Sequence, residues 1–275
     1  MMTDKPAGRI RIGIGGWNFP EWRQTFYPKG LSQKKELAYA SERLTATEVN
    51  ATFYRGQKPA TVQTWHDEAS DDFVFALKGN RFVSNRKDLA DASVMTTSIG
   101  KFFDCEFQRL GAKLGPINWQ LAGTKKFVPA EIDGFFKLLP REVDGVAMRH
   151  AIEPRHESFS DPEFVSICRA HGVAIVCGAD AAEYPQVSDV TAPFVYCRIQ
   201  GTRAEEPLGY SEAELDQWAG RLKAWAAGGQ PEDFALTDGA DPAPREPRDV
   251  FAFFIAGHKR VNPLAAQALI ERLKD

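Results

Sequence analysis

Two carboxylates and a lysine lie in or at the ends of short β-rich runs. Glu48 lies in "TATEVN", Lys78 ends "FVFALK" and Glu153 ends "MRHAIE". Two carboxylates in one site can act as acid and base where their surroundings separate their pKa values, and such pairs also hydrolyse glycosides. A lysine at a strand end can form a Schiff base, although an ion pair is its more common role. We predict Glu48, Glu153 and Lys78 as catalytic residues.

The alternation of side chains along these runs predicts which of them face a common interior. In "TATEVN" the side chains of Glu48 and Asn50 share one face, opposite Val49. A charged side chain on a buried face needs a partner, a ligand or water, because burying an unpaired charge is costly. The same alternation turns further side chains inward, and we predict that they bind a ligand together with Asn50: Trp17, Gln120, Arg155, Asp180, Arg198 and Gln200.

Eight β-rich runs recur along the chain, with helical patterns between them. The runs are residues 10–16, 45–50, 73–78, 116–121, 148–153, 173–180, 194–200 and 250–255. Strands that alternate with helices form parallel sheets, and eight such units fit a (β/α)8 TIM barrel of the α/β class. Active sites of this fold lie at the C-terminal strand ends, where the polar residues gather. The sequence therefore predicts a site at the mouth of a single barrel.

The length of the chain suits one barrel domain over residues 1–275. Residues 1–9 precede the first run as an N-terminal tail. Residues 226–249 are rich in Gly, Pro, Asp and Ala, which predicts a loop excursion before the last strand. Residues 85–112 are predicted to contain a helix without defined limits. Ser211 and Glu214, which precede this excursion, have the spacing of a capping box, and this spacing predicts the start of a helix.

Charge differs between the predicted mouth and the rest of the chain. The formal net charge of the chain is −3, whereas the loops predicted to follow the strands contain more lysine and arginine than aspartate and glutamate. A local positive field attracts anions whatever the net charge. Trp17 and Tyr54 lie at the same end and could stack on a sugar or a base. We therefore predict a small anionic ligand, such as a phosphate or phosphodiester, or a nucleic-acid fragment as the partner.

The sequence has few signals for metals, cofactors or membranes. Of the five histidines only His156 is near the predicted mouth, so no cofactor is predicted, and a single divalent metal held with Glu48, Glu153 and Asp180 remains an alternative. The four cysteines form no CxxC pair, and no P-loop or dinucleotide fingerprint is present. No run resembles a signal peptide or reaches the ~20 apolar residues of a membrane span. We expect a cytoplasmic protein without a membrane partner.

Several motifs follow one another along the chain: "IGIGGW", "ATEVNATFYR", "FVFALK", "LGAKLGPINWQL", "AIEPRHESF" and "FVYCRIQG". In this order they resemble the motifs of the YecE-like family, domain of unknown function 72, from about residue 10 to residue 275. The resemblance implies a TIM barrel without an established activity. It also implies that Arg55 and His156 line the site and bind ligand, together with the residues selected above.

The chain departs from the family pattern at several positions. Asn85 and Gln200 stand where the family tends to have histidine, and Phe159 stands where it usually has tryptophan. The segment "FFIAGHKR" replaces an Asn-rich end after the last strand. Because two histidines are lost, the resemblance gives little support to a metal centre in this chain.

Three functions stay open at the level of the sequence. The leading hypothesis is that the mouth binds, and hydrolyses or isomerises, an anionic ligand containing a sugar or a nucleotide, with Glu48 and Glu153 as acid and base. Lys78, Arg155 and Arg198 would then bind the anionic group. The alternatives are a metal-assisted phosphodiesterase or endonuclease-like activity, and a ligand-binding or adaptor barrel without catalysis. The inward charges could also simply pair with one another.

Overall fold

The computed structural model describes residues 7–178, 180, 183–237 and 239–274. Parts of three predicted segments lie outside the described residues: residues 1–6 of the N-terminal tail, residue 179 of the sixth strand and residue 238 of the excursion. Residues 181, 182 and 275 also lie outside them.

The strands are, in chain order, β1 (Ile10–Gly15), β2 (Ala46–Val49), β3 (Val74–Lys78), β4 (Leu114–Gln120), β5 (Glu142–Val143), β6 (Val146–Ala147), β7 (His150–Glu153), β8 (Ala174–Cys177), β9 (Phe194–Ile199) and β10 (Asp249–Phe254). All except β5 and β6 form a closed barrel in the order β1-β10-β9-β8-β7-β4-β3-β2. Neighbouring strands of the barrel are parallel. This architecture confirms the predicted (β/α)8 TIM barrel.

Helices connect the strands. They are α1 (Glu36–Ser41), α2 (Ala51–Tyr54), α3 (Pro59–Glu68), α4 (Arg81–Ser84), α5 (Ala92–Phe103), α6 (Pro129–Leu138), α7 (Pro162–His171), α8 (Glu212–Ala226) and α9 (Asn262–Arg272). Short 3-10 turns occupy Pro20–Gln24, Gln33–Lys35, Phe107–Lys113, Glu157–Phe159 and Lys259–Val261. The capping box of Ser211 and Glu214 is present at the start of α8.

Some elements differ from the predicted limits. β4 begins at Leu114, and its pairing with β3 shifts register between Phe75 and Leu77. Pro116 lies in this part of β4, and a proline has no N–H to donate to a ladder. β8 ends at Cys177, so Asp180 follows the strand instead of ending it. The hairpin of β5 and β6 was not predicted, because two-residue strands leave no periodic pattern.

The core has two layers, which follow the alternation of the strands. Val74 and Ala76 of β3 pack inside the barrel, whereas Phe75 and Leu77 pack against the helices. The inner layer also contains aromatic rings, among them that of Tyr196, which packs inside the barrel. The predicted inward and outward faces of β3 are therefore confirmed. Side chains at the next inward positions towards the C-terminal ends form the site.

Candidate functional site

An arginine between two carboxylates forms the centre of the site. Arg198 on β9 donates to Oε1 of Glu48 on β2 at 3.1 Å, and to both carboxylate oxygens of Glu153 on β7 at 2.8 and 3.0 Å. Each of these residues occupies an inward position of its strand. Because β2, β7 and β9 are far apart in sequence, closure of the barrel is what brings the three charges together.

Two neutral side chains complete the hydrogen bonds of the carboxylates. The Tyr196 hydroxyl donates to Oε2 of Glu48 at 2.6 Å, and Nδ2 of Asn118 donates to Oε2 of Glu153 at 2.9 Å. Burial raises the pKa of Tyr196 well above its usual range, and the charge of Glu48 raises it further. The hydroxyl therefore keeps its proton and acts as a donor. Such partners make a buried ionic cluster tolerable.

Glu153 is held in its ionised form. Burial by itself raises the pKa of this carboxyl, but the positive charges of Arg198, Lys78 and Arg155 outweigh burial and lower the pKa to about 2. At neutral pH the side chain has no proton to donate. Glu153 therefore serves as a counter-ion for the cations around it.

Arg155 lies two residues beyond the end of β7 and is held from several sides. Its Nε and Nη2 donate to Oε1 of Glu153 at 3.0 and 2.8 Å, and Nη2 also donates to Oε1 of Gln120 at 2.9 Å. The guanidinium carbon lies 4.3 Å from the centre of the Tyr184 ring. These contacts fix the guanidinium at the edge of the central cluster.

Lys78 at the end of β3 has a neutral partner. Its Nζ donates to Oε1 of Gln120 and lies 4.8 Å from the centre of the Phe53 ring. Within the described part of the chain Lys78 forms no ion pair with a carboxylate, because Arg155 and Arg198 occupy the oxygens of Glu153. The interpretation of this lysine as half of an ion pair is therefore wrong.

The pKa of Lys78 is lowered to about 8. Burial of the amine is the main cause, and the positive charge of Arg198 adds to it. The carboxylates of Glu48 and Glu153 act in the opposite direction without cancelling the effect. A substantial fraction of the amine is consequently neutral near physiological pH.

Lys78, Gln120, Arg155 and Arg198 form the floor of a cavity of about 430 Å³ at the C-terminal end of the barrel, which we call the mouth cavity. Its polar lining consists of cations and amides: Lys78, Arg155, Arg198, Lys259, Asn50, Gln120 and Asn262. Glu48 is fully buried and Glu153 nearly so, and neither lines the cavity. An entering ligand therefore meets positive charge, with the carboxylates behind it.

The mouth cavity brings together six of the predicted site residues: Asn50, Tyr54, Lys78, Gln120, Arg155 and Arg198. Glu48 and Glu153 contact it only through Arg198 and Arg155. The other five predicted residues do not line the mouth cavity: Trp17, Arg55, His156, Asp180 and Gln200.

Trp17 does not line the mouth cavity, and its role as a ligand-binding residue stays a prediction. Its ring centre lies 5.5 Å from that of Trp65 and 6.1 Å from that of Phe75, which is on the helix side of β3. β1 ends at Gly15, and Gly16 has a φ of 77°. The left-handed turn at Gly16 ends the alternation before it reaches Trp17.

Arg55 lies in a second cavity, of about 490 Å³, beside the mouth cavity. The single turn of α2 separates the exposed Arg55 from the end of β2. Two other cations, Arg86 and Lys101, line the second cavity, and none of the described residues that line it is acidic. Tyr54 lines both cavities and so connects them.

His156 and Asp180 both hold loops, and their role as ligand-binding residues stays a prediction. Nδ1 of His156 accepts the backbone N–H of Ser158 at 3.1 Å and caps the 3-10 turn Glu157–Phe159. Asp180 accepts the backbone N–H groups of Gln200 and Gly201 at 2.7 and 2.9 Å.

Gln200 is positioned by this same contact and does not line the mouth cavity. β9 ends at Ile199, so Gln200 lies in the loop after the strand, and its backbone N–H is bound by Asp180. Together with the Tyr210 hydroxyl, which donates to Asp180, this contact ties the loop after β9 to the segment after β8.

Several lining residues were not predicted as site residues. Phe19 and Trp22 come from the connection after β1, Lys259 comes from the connection after β10, and Asn262 begins α9. The indole Nε1 of Trp22 donates to the backbone oxygen of Lys259 at 2.7 Å and joins these loops. The basic segment "GHKR" was a usable signal for Lys259. The aromatic residues had none, because loop conformation decides which rings return to the mouth.

The acidic, histidine and cysteine side chains of the described residues form no group of three or more that could hold a metal ion. Two members of the predicted set, His156 and Asp180, are used in loop contacts. The described helices also include none that is long and apolar enough to cross a membrane.

The fold and site define a parallel (β/α)8 barrel whose strand ends enclose a basic cavity over an arginine-carboxylate cluster. The chain belongs to the family described as protein of unknown function DUF72, whose model matches residues 11–275. The resemblance of the ordered motifs is therefore confirmed.

Known relatives agree with this family and fold. The UPF0759 protein YecE of Escherichia coli K12 is 29% identical over 145 residues, which are 51% of this chain and 48% of YecE. The chain thus spans about half the length of the curated relatives it matches. A DUF72 family protein from Thermotoga maritima superposes with a TM-score of 0.71 at 18% identity, covering 97% of this chain and 100% of that one. One from Enterococcus faecalis gives 0.67 at 16% identity, covering 98% of both chains.

Proposed function

We propose that the mouth cavity binds a small phosphorylated sugar or nucleotide, with its anionic group against Lys78, Arg155 and Arg198. The lining of the cavity carries this proposal: cations and amides face the ligand, and both carboxylates of the cluster lie behind them. Guanidinium groups form paired hydrogen bonds with phosphate and carboxylate oxygens, and a lysine adds a point charge. The Glu48 and Glu153 carboxylates hold the guanidinium of Arg198 in place for such contacts.

Aromatic rings at the rim favour a ligand with a ring attached to its anionic group. Tyr54 and Phe82 are each 60% exposed, and both line the second cavity. The guanidinium carbon of Arg81 lies 5.8 and 5.4 Å from the two ring centres. Exposed aromatic rings beside cations stack on bases and sugars. A nucleotide, or a short nucleic-acid fragment, would use both cavities at once.

The other functions have less support. Acid and base catalysis by two carboxylates requires one protonated group and one free to accept a proton, but Glu153 is ionised and its oxygens accept hydrogen bonds from three side chains. We therefore assign Glu48 and Glu153 a positioning role. Metal-assisted phosphodiester cleavage would need donors that the described residues do not group together.

Calorimetric titration with ribose 5-phosphate and with ribose tests the proposal. We expect binding of the phosphorylated sugar only, and Arg155→Gln should weaken it roughly 10- to 100-fold because a charge-assisted hydrogen bond is worth about 1.5–3 kcal/mol. The matched control is Arg9→Gln, which removes an exposed cation beside β1 at the opposite end of the barrel. Equal affinities for the two sugars, or equal losses in the two variants, would contradict the proposal.

A further inference from the structure

We propose that Lys78 forms an imine with the carbonyl carbon of a sugar phosphate bound in the mouth cavity. This inference rests on the proposed function, because the anionic group, bound by Arg155 and Arg198, is what would hold the carbonyl beside the amine of Lys78. It names a substrate class, phosphorylated sugars with an aldehyde or ketone group, and a reaction type for the site.

The position of Lys78 separates it from an ordinary structural lysine. Its stem is buried along β3, and its amine is part of the cavity floor. The hydrogen-bond partner is the amide oxygen of Gln120, which is neutral. Losing the proton of the amine would therefore leave no carboxylate unpaired, and an attack on a ligand would break a single hydrogen bond.

The charges that face Lys78 come from several strands. Glu48 on β2 and Glu153 on β7 favour the ammonium form, whereas Arg198 on β9 and Arg155 after β7 disfavour it. Burial in the floor acts with the arginines, and the pKa falls to about 8. At pH 7 roughly one amine in ten is then neutral, against fewer than one in a thousand for a lysine with the usual pKa. The neutral amine is the nucleophile.

The step balances without an oxidant or a second reactant. The lone pair of Nζ attacks the carbonyl carbon, a C–N bond forms, and the electrons of the C=O π bond move to oxygen, which takes a proton. Solvent returns to the hydroxyl group of the resulting carbinolamine the proton that the ammonium released before the attack, the C–O bond breaks, and water leaves. One ammonium and one carbonyl thus give one iminium and one water, with the charge conserved. Glu48 and Glu153, whose charges favour the ammonium form of Lys78, favour the new cation in the same way.

Reductive trapping of the full chain tests this inference. The chain is incubated with glyceraldehyde 3-phosphate or glyceraldehyde in the presence of sodium cyanoborohydride, which reduces an iminium to a stable secondary amine. Peptide mass spectrometry should find the modification on Lys78, formed at least tenfold faster with the phosphorylated aldehyde and slowed by inorganic phosphate. The trapping rate should rise between pH 7 and pH 8, where the amine loses its proton.

Two conservative variants serve as controls. Lys78→Arg keeps the positive charge but has no nucleophilic amine, so the fast modification should disappear while thermal unfolding shows a folded chain. Lys137→Arg removes an exposed lysine of α6 and should leave the trapping rate unchanged. Modification spread equally over surface lysines would overturn the inference.

The outcomes separate this inference from the proposed function. If ribose 5-phosphate binds in the calorimeter but Lys78 is not trapped by glyceraldehyde 3-phosphate, the imine is wrong and the anion site stands. If both aldehydes modify Lys78 at the same rate and inorganic phosphate does not compete, the amine is reactive but the anion site is wrong.

Discussion

Arg198 is the central residue of the site, because its buried guanidinium joins Glu48 to Glu153. It is only 3% exposed, and removing a buried charge from water is costly unless its partners are complete. Glu48 and Glu153, from strands on either side of β9, accept from the two Nη atoms of Arg198, while its buried Nε has no hydrogen-bond partner among the described residues. The two acids thus hold a cation that lines the mouth cavity.

Glu153→Gln should lower the free energy of unfolding by about 3 kcal/mol at pH 7, because it leaves Arg155 without its carboxylate partner and Arg198 with Glu48 alone. The folded pKa of Glu153, about 2, lies below its usual 4.5, so the carboxylate stabilises the fold above pH 4.5 and loses this effect as the pH falls towards 2. Urea unfolding at pH 7 and pH 3 measures the difference between variant and wild type. We expect it to shrink to roughly half at pH 3; the same difference at both pH values would contradict the charge argument.

Residue types and strand alternation were sufficient to predict that Glu48, Lys78, Glu153 and Arg198 converge. They were not sufficient to predict which groups a ligand meets. The longer arginine side chains cover the shorter carboxylates, and this order depends on side-chain length and hydrogen bonding inside the closed barrel. The sequence therefore did not show that the carboxylates lie behind the arginines, and the catalytic role of the two acids stays a prediction.

At the scale of elements, the close approach of β1 and β2 shapes one side of the site. A Cβ at Gly13 would lie 2.1 Å from the backbone oxygen of Ala46 on β2. Real Cβ atoms do not come this close, so a side chain here would push the strands apart. Such a shift would be transmitted along β2 to Glu48, two residues beyond Ala46.

Gly13→Ala should destabilise the chain by about 2 kcal/mol or more, since the added methyl group meets rigid backbone. The matched control is Gly100→Ala in α5, where no atom lies within 4 Å of the new Cβ. There we expect a gain of about 0.5–1 kcal/mol from the better helix propensity of alanine. Thermal unfolding of both variants measures the effects; a neutral Gly13→Ala would contradict the account of this strand pair.

Element types were easier to predict from the sequence than element ends. The eight strands and the start of α8 follow from hydrophobic period and capping residues. The alternation of inward and outward side chains does not extend to Trp17 and Gln200, because each lies just beyond the end of a strand, where a turn begins. Loop positions such as that of Lys259 depend on contacts between loops that are distant in sequence.

At the scale of the whole molecule, the closed barrel concentrates positive charge in one place. The chain carries a net charge of −3, yet cations line the mouth cavity, and no carboxylate is found among the described residues that line it. A basic cavity on an acidic body attracts small anions to one end and repels them elsewhere. Anion binding at the mouth is therefore the central claim.

A crystal structure of the chain with ribose 5-phosphate tests this claim most directly. We expect a phosphate group in the mouth cavity, with its oxygens at hydrogen-bonding distance from at least two of Lys78, Arg155 and Arg198. A mouth cavity without ligand at saturating concentration, or a phosphate group bound only at another surface, would contradict it.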